Sequence, residues 1–113
     1  MPRKKRPDPR PDVLARLREI CLGLPSVTEA SSYGNPAFKA FGKTFVVLDH
    51  YRGSDCVWVL CDPERRAETL SAAGFFPSPY DPRQKAVCGE PDVIDWAVMS
   101  DLIRESHLLA AEA

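Results

Sequence analysis

Apolar residues at the start of the chain recur with the spacing of a helix. The positions that share one face follow Asp12, a residue type that favours the N-terminal cap of a helix, and they precede Gly23, which favours its end. They are Val13, Leu14, Leu17, Ile20, Cys21 and Leu24. The pattern predicts a first helix that begins at Asp12.

Three runs of β-branched and aromatic residues follow, at 37–41, 43–49 and 56–61. Residues 24–29 lead out of the first helix, and the turn-forming stretch SSYGNP precedes the first run. Gly42 separates the first two runs, and residues 51–54 separate the second from the third. Both alternating sets of positions are apolar in the second and third runs, which predicts that these strands lie in the middle of a sheet.

The second half contains two more helices and two short extended segments. Asp62 followed by Pro63 predicts a helix start, and Gly74 predicts the end of that helix. Prolines punctuate the aromatic segment 75–80, which restricts it to a sheet edge. Residues 85–88 form a further short strand, and Asp92 caps a last helix. The predicted order is α-β-β-β-α-β-β-α, an α+β two-layer sandwich in which an antiparallel sheet of about five strands carries its helices on one face.

Charge divides the 113 residues into a basic arm and an acidic body. Residues 1–11 carry five Lys or Arg and one Asp, a net charge of +4, whereas residues 12–113 carry ten Lys or Arg and fifteen Asp or Glu, a net charge of −5. The arm is rich in proline and poor in apolar residues, so we predict that it is disordered and that residues 12–113 form a single domain. The sequence shows no secretory signal, which favours the cytoplasm, and no apolar run long enough to span a membrane.

The stretch FGKT at 41–44 resembles the end of a phosphate-binding P-loop. The first glycine of that motif would stand at position 37, which is Ala37, and the run FVVL that follows favours a strand where the motif requires a helix. A tight hairpin corner at Gly42, with Lys43 pointing outward, explains the stretch better.

Five segments together resemble the YjbR/MmcQ family of small bacterial proteins: LPSVTE, SYGNPAFKAFGKTF, CDPE, FFPSPY and DW. The resemblance spans roughly residues 12–112. It implies a compact antiparallel sheet with helices on one face, and DNA binding through paired loop-and-strand projections. It implies no catalytic residue and no required cofactor. A Gly-Arg-Gly-Trp-like turn of the family is replaced here by residues 81–88, where Arg83 matches the basic position, so one projection is expected to be altered.

The resemblance and the charges together nominate cations on the arm and at the corners, with polar neighbours, as nucleic-acid-binding residues. These candidates are Arg3, Lys4, Lys5, Arg6, Tyr33, Asn35, Lys39, Lys43, Arg52, Tyr80, Arg83 and Lys85. Ordinary solvated charges are one alternative. The other is a module that binds a protein or small ligand on an aromatic sheet face formed by residues 75–80 with Tyr33 and Trp58.

The sequence favours a protein without enzymatic activity. Neither His50 nor His107 has a local partner pattern typical of a catalytic triad or a metal site, and we expect His50 to be a surface residue. The four cysteines form no C-x-x-C pair and have apolar neighbours, so we expect buried, reduced thiols. We therefore predict no metal and no cofactor.

Overall fold

The computed structural model of the chain describes residues 6–79 and 81–112. Within these residues, the elements follow the order α-β-β-β-β-α-β-β-α. The helices are α1 (Pro11–Cys21), α2 (Pro63–Ser71) and α3 (Trp96–Ala111). The strands are β1 (Val27–Ser32), β2 (Asn35–Ala40), β3 (Lys43–Tyr51), β4 (Ser54–Leu60), β5 (Phe75–Pro77) and β6 (Ala86–Gly89).

The strands form one antiparallel sheet in the order β1-β2-β3-β4-β6-β5. Tight two-residue turns join the first four strands. In each of these turns a larger residue and a glycine both have positive φ: Tyr33 with Gly34, Phe41 with Gly42, and Arg52 with Gly53. Such a pair matches the type I′ turn, whose twist suits antiparallel neighbours. The stretch FGKT is thus the β2–β3 corner, as predicted.

The turns divide the sheet into two ends. One end holds the β2–β3 turn, the start of β6 and the loop 78–85, and we call it the Gly42 end. Residue 80 of that loop lies outside the described residues. The Gly53 end holds the β1–β2 and β3–β4 turns. Because β3 has nine residues and a strand rises about 3.3 Å per residue, the two ends lie roughly 27 Å apart.

All three helices pack on one face of the sheet and share one core with it. Leu48, Val57 and Val87 point to this face from adjacent strands. A bulge in β3 shifts the register between Phe38 and the next residue of β2. Phe45 and Val46 therefore both reach the core although they are consecutive.

The predicted fold class is confirmed, with one more strand than expected. The added strand, β1, lies in a segment that we assigned to a helix exit and a turn region. It is an edge strand of sequence VTEASS with no buried residue, so its pattern lacks the apolar alternation that indicates a strand. The central position of β3 and β4 and the edge position of Pro77 agree with the predictions.

Two predicted helix caps were wrong by a few residues. Helix α1 begins at Pro11 with Arg10 at the N-cap position, because proline suits the first turn of a helix. Helix α3 is capped by Asp95, whose side chain accepts a hydrogen bond from the Ala97 N–H at 2.9 Å. The cap predicted for α2 was correct, since Asp62 accepts from the Glu64 N–H.

Candidate nucleic-acid interface

Residues 6–10 of the arm lie against the folded body, and residues 1–5, for which we predict disorder, lie outside the described residues. The Arg6 guanidinium donates to the Asp55 carboxylate, to Asn35 Oδ1 at 2.7 Å and to the Leu48 carbonyl at 2.9 Å. Asp55 also accepts the Arg10 backbone N–H at 2.8 Å. The side chains of Arg6 and Asp55 are only 12% and 5% exposed. We call Arg6, Arg10 and Asp55 the arm contact. It holds residues 6–10 against the body, because a buried carboxylate requires partners.

The second arginine of the arm contact makes its ion pairs on the surface. The Arg10 guanidinium bridges the carboxylates of Asp12 and Asp92. The hydrogen bonds from Arg10 lower the pKa of both carboxyl groups. Asp12 and Asp92, predicted as helix caps, therefore serve as partners of Arg10.

His50 is not the surface residue that the sequence suggested. Its ring Nδ1 lies 2.9 Å from Asp55 Oδ1, and its side chain is 21% exposed. The hairpin register pairs His50 with Asp55 across the tight turn at Arg52 and Gly53. The sequence carried this signal: with a two-residue turn at Gly53, residues 50 and 55 must face each other.

His107 is buried on the helical side of the sheet. Its Nε2 lies 2.7 Å from the Pro25 carbonyl oxygen, and its ring packs against those of Phe41 and Phe45. This arrangement ties α3 to the segment after α1, which is a structural task. In the described parts of the chain, no three His, Cys, Asp or Glu side chains converge as metal ligands.

Four of the predicted candidates gather at the Gly42 end: Lys39, Lys43, Arg83 and Lys85. Lys43 is exposed and donates to the backbone carbonyl of Glu112. Among the described residues, no carboxylate forms an ion pair with any of these four cations. The carboxylates nearby have backbone partners: Asp62 caps α2, and Asp81 accepts the Ala86 N–H at 2.6 Å.

Three other candidates lie at the opposite, Gly53 end. Tyr33 is 85% exposed at the β1–β2 turn, and Arg52 is exposed at the β3–β4 turn with its guanidinium 5.2 Å from the Tyr51 ring centroid. Asn35 binds Arg6 and Asp49. The structure therefore separates the corner candidates into two groups and engages Arg6 internally. Arg3, Lys4, Lys5 and Tyr80 lie outside the described residues.

The face of the sheet away from the helices carries a row of mainly apolar residues across its strands. Directly paired residues place five members side by side, and we call the face that bears them the open face: Ala37, Val47, Trp58, Cys88 and Phe76. Trp58 and Phe76 remain half-buried. Phe75, which the sequence grouped with them, points instead into the helical core. The aromatic sheet face proposed from the sequence thus contains Trp58 and Phe76 but not Phe75 or the remote Tyr33.

The four cysteines are buried and reduced, as predicted. Burial raises the pKa of the Cys21 thiol to about 12. A hydrogen bond with the Cys88 thiol, together with burial, raises the pKa of Cys56 on the open face. Thiols held in the protonated form are poor nucleophiles and poor metal ligands, so these groups act as packing residues.

The comparisons with known proteins agree with this fold. The model of the YjbR family matches residues 22–109, and the chain therefore belongs to the YjbR family. A crystal structure of Deinococcus radiodurans protein DR2400, described by the family domain DUF419, superposes with a TM-score of 0.74. It is 19% identical in sequence, and the match covers 88% of this chain and 78% of that one. At this identity it establishes the fold alone.

No curated protein matches the sequence. Within residues 6–79 and 81–112, no helix has the length and apolar character needed to cross a membrane.

Proposed function

We propose that this protein is a non-enzymatic nucleic-acid-binding protein that contacts DNA phosphates mainly through the Gly42 end of its sheet. The observation that carries the proposal is the group of four cations there, Lys39, Lys43, Arg83 and Lys85, which have no carboxylate partner among the described residues. Cations whose charge is not neutralised by a carboxylate remain available to replace the counterions of a phosphate backbone.

The charges elsewhere on the surface limit the affinity for DNA, so we expect weak binding. The body outside the arm carries a net charge of −5. Helix α3 presents Arg104 in an ion pair with Asp101, close to Glu105, so it lacks the basic surface of a recognition helix. Affinity that depends on about four phosphate contacts falls steeply with salt.

Fluorescence anisotropy of a labelled DNA duplex, titrated at several salt concentrations, tests this proposal. Each phosphate contact contributes about −0.9 to the slope of log affinity against log salt, so the double variant K39A/K85A should flatten the slope by roughly 1.8. The matched variant R3A/K4A/K5A removes three arm cations and preserves the arm contact of Arg6.

The two variants separate the folded domain from the arm. If K39A/K85A weakens binding and R3A/K4A/K5A changes it little, the Gly42 end is the binding surface. If only the arm variant weakens binding, the arm acts as a generic polycation and the proposal for the domain is wrong. Full-length protein that binds no DNA at physiological salt would also contradict the proposal.

A ligand or protein site on the open face is the second candidate. A cleft of about 550 Å³ at the Gly53 end supports it, lined in part by Tyr51, Arg52, Phe76 and Glu90. Aromatic walls beside Arg52 and two carboxylates, Asp55 and Glu90, suit a small planar or zwitterionic ligand. Binding that maps to this cleft, with no response to K39A/K85A, would favour this second function.

A further inference from the structure

The open face offers aromatic surface next to a cation. Trp58 and Phe76 lie in one row with Cys88 between them. Adjacent strands are about 4.8 Å apart, so the two aromatic residues are separated by roughly 10 Å across the sheet. Both are half-buried, and neither belongs to the core that the helices cover. Unstacked nucleobases bind to the accessible part of such aromatic rings in single-strand-binding proteins.

Lys39 places positive charge on the same face at a suitable distance. It follows Ala37 by two residues in β2, so both side chains emerge on the open face, and Ala37 shares a row with Trp58 through Val47. Two strand spacings across and two residues along give a separation of about 12 Å between the Cα atoms of Lys39 and Trp58. An extended lysine side chain covers much of that distance, so one nucleotide can contact both residues.

The charges on this face also give the bound strand a preferred side. Asp49 lies on the open face two residues beyond Val47, toward the Gly53 end, and Lys39 lies on the opposite side of the aromatic row. Phosphates are therefore attracted to the Lys39 side of the aromatic row and are repelled from the Asp49 side.

A duplex fits this surface less well than a single strand. The sheet has six strands and is roughly 24 Å wide, about twice the width of the major groove of DNA. In a duplex the bases are stacked inside the helix and cannot reach Trp58. In a single strand the bases are free to stack on aromatic rings while the backbone follows the cations.

We propose that the open face binds single-stranded nucleic acid, with nucleobases stacked on Trp58 and Phe76 and the phosphates held by Lys39 at the Gly42 end of that face. This inference rests on the proposed function and makes it specific. It assigns a stacking role to two residues of the sheet that were not among the nucleic-acid candidates drawn from the sequence.

The chain contains a natural control for this proposal, since its two tryptophans lie on opposite sides of the sheet. Trp96, on the helical side, donates its indole N–H to the Pro91 carbonyl at 3.0 Å and lies 4.8 Å from the Arg16 guanidinium. The variant W96F keeps Trp58 as its one tryptophan, and the variant W58F keeps Trp96. Both variants keep an aromatic ring at the changed position, which protects the fold.

Each variant is titrated with an unlabelled oligothymidylate while tryptophan emission is recorded. Base stacking on Trp58 should quench the emission of W96F, with a midpoint equal to that from anisotropy with the labelled oligonucleotide. The emission of W58F should stay constant, because its one tryptophan, Trp96, lies on the helical side of the sheet. W58A should lose about tenfold or more in single-strand affinity and much less in duplex affinity.

The outcomes distinguish this inference from the proposed function. Oligothymidylate binding with unchanged emission of W96F overturns the inference and leaves DNA binding intact. Tighter binding of the duplex than of the single strand also overturns the inference and leaves DNA binding intact. If neither single strands nor duplexes bind, the proposed function fails and the inference fails with it.

Discussion

The two ends of the sheet both carry arginine and lysine, but they use these residues differently. At the Gly53 end, Arg6 is buried against Asp55, and Arg10 is bridged by Asp12 and Asp92. At the Gly42 end, Lys39, Arg83 and Lys85 have no carboxylate partner among the described residues. At the first end, Arg6 and Arg10 hold the arm against the body, and Arg52 alone is exposed without an ion pair among the described residues. At the second end, the three cations remain available to a ligand. Net charge along the sequence cannot distinguish these two uses.

Removal of Asp55 should have the largest effect at the Gly53 end. D55A leaves the Arg6 guanidinium, the His50 ring and the Arg10 N–H without their shared acceptor. Loss of one member of a buried ion pair costs about 3 kcal/mol or more, so the free energy of unfolding in urea should fall by that amount.

Asp92, the exposed partner of Arg10, provides the control for D55A. The Asp92 side chain is 74% exposed, and pairs of this kind contribute little to stability. D92A should therefore unfold at nearly the urea concentration of the original protein. Equal losses in D55A and D92A would show that burial does not set the strength of the arm contact.

Charge reversal at one position of each end should sharpen the comparison for binding. K85E places an anion among the cations of the Gly42 end and should weaken DNA binding, with a salt slope flatter by about 1 or more. R52E makes the same charge change at the Gly53 end, where Asp49 and Glu90 already repel phosphates. Anisotropy titrations should show a much smaller loss of affinity for R52E than for K85E. A larger loss for R52E would place the binding surface at the Gly53 end and contradict the proposal.

The smallest expected effect is a pH dependence of the surface ion pairs made by Arg10. The hydrogen bond from Arg10 lowers the pKa of Asp92 below its ordinary value of 3.8. A lowered pKa in the folded state means that the carboxylate contributes stability above pH 3.8, and that this contribution is lost as pH falls through the lowered value. Carbon NMR titration of Asp92 should show a midpoint below 3.8, and R10Q should return it to the ordinary range.

The sequence predicted those parts of the fold in which local pattern and burial agree. The apolar runs of β3 and β4, the Asp62 cap and the FGKT corner were all correct because each depends on neighbouring residues. Strand β1 was missed because it lies at the sheet edge with polar side chains exposed. The arm contact was missed because Arg6 and Asp55 are 49 residues apart, and their pairing depends on the complete fold.

The candidate site was predictable in its residue types but not in its grouping. The corners were identified at Lys43, Arg52 and Arg83, yet their assignment to opposite ends required the strand order, in which β6 lies between β4 and β5. The nucleic-acid candidates also omitted Trp58 and Phe76, because their shared row depends on the pairing of both residues with Cys88.

Mapping by nitrogen–proton NMR tests the central claim most directly, that the Gly42 end of the sheet is the nucleic-acid-binding surface. The labelled full-length protein is titrated with a DNA oligonucleotide chosen from the anisotropy experiments, and backbone amide shifts are followed. We predict that the largest changes fall on Lys39, Lys43, Lys85 and their neighbours, while Gly53 and Asp55 stay near their free positions. Changes concentrated at the Gly53 end, or confined to the arm, would contradict the claim.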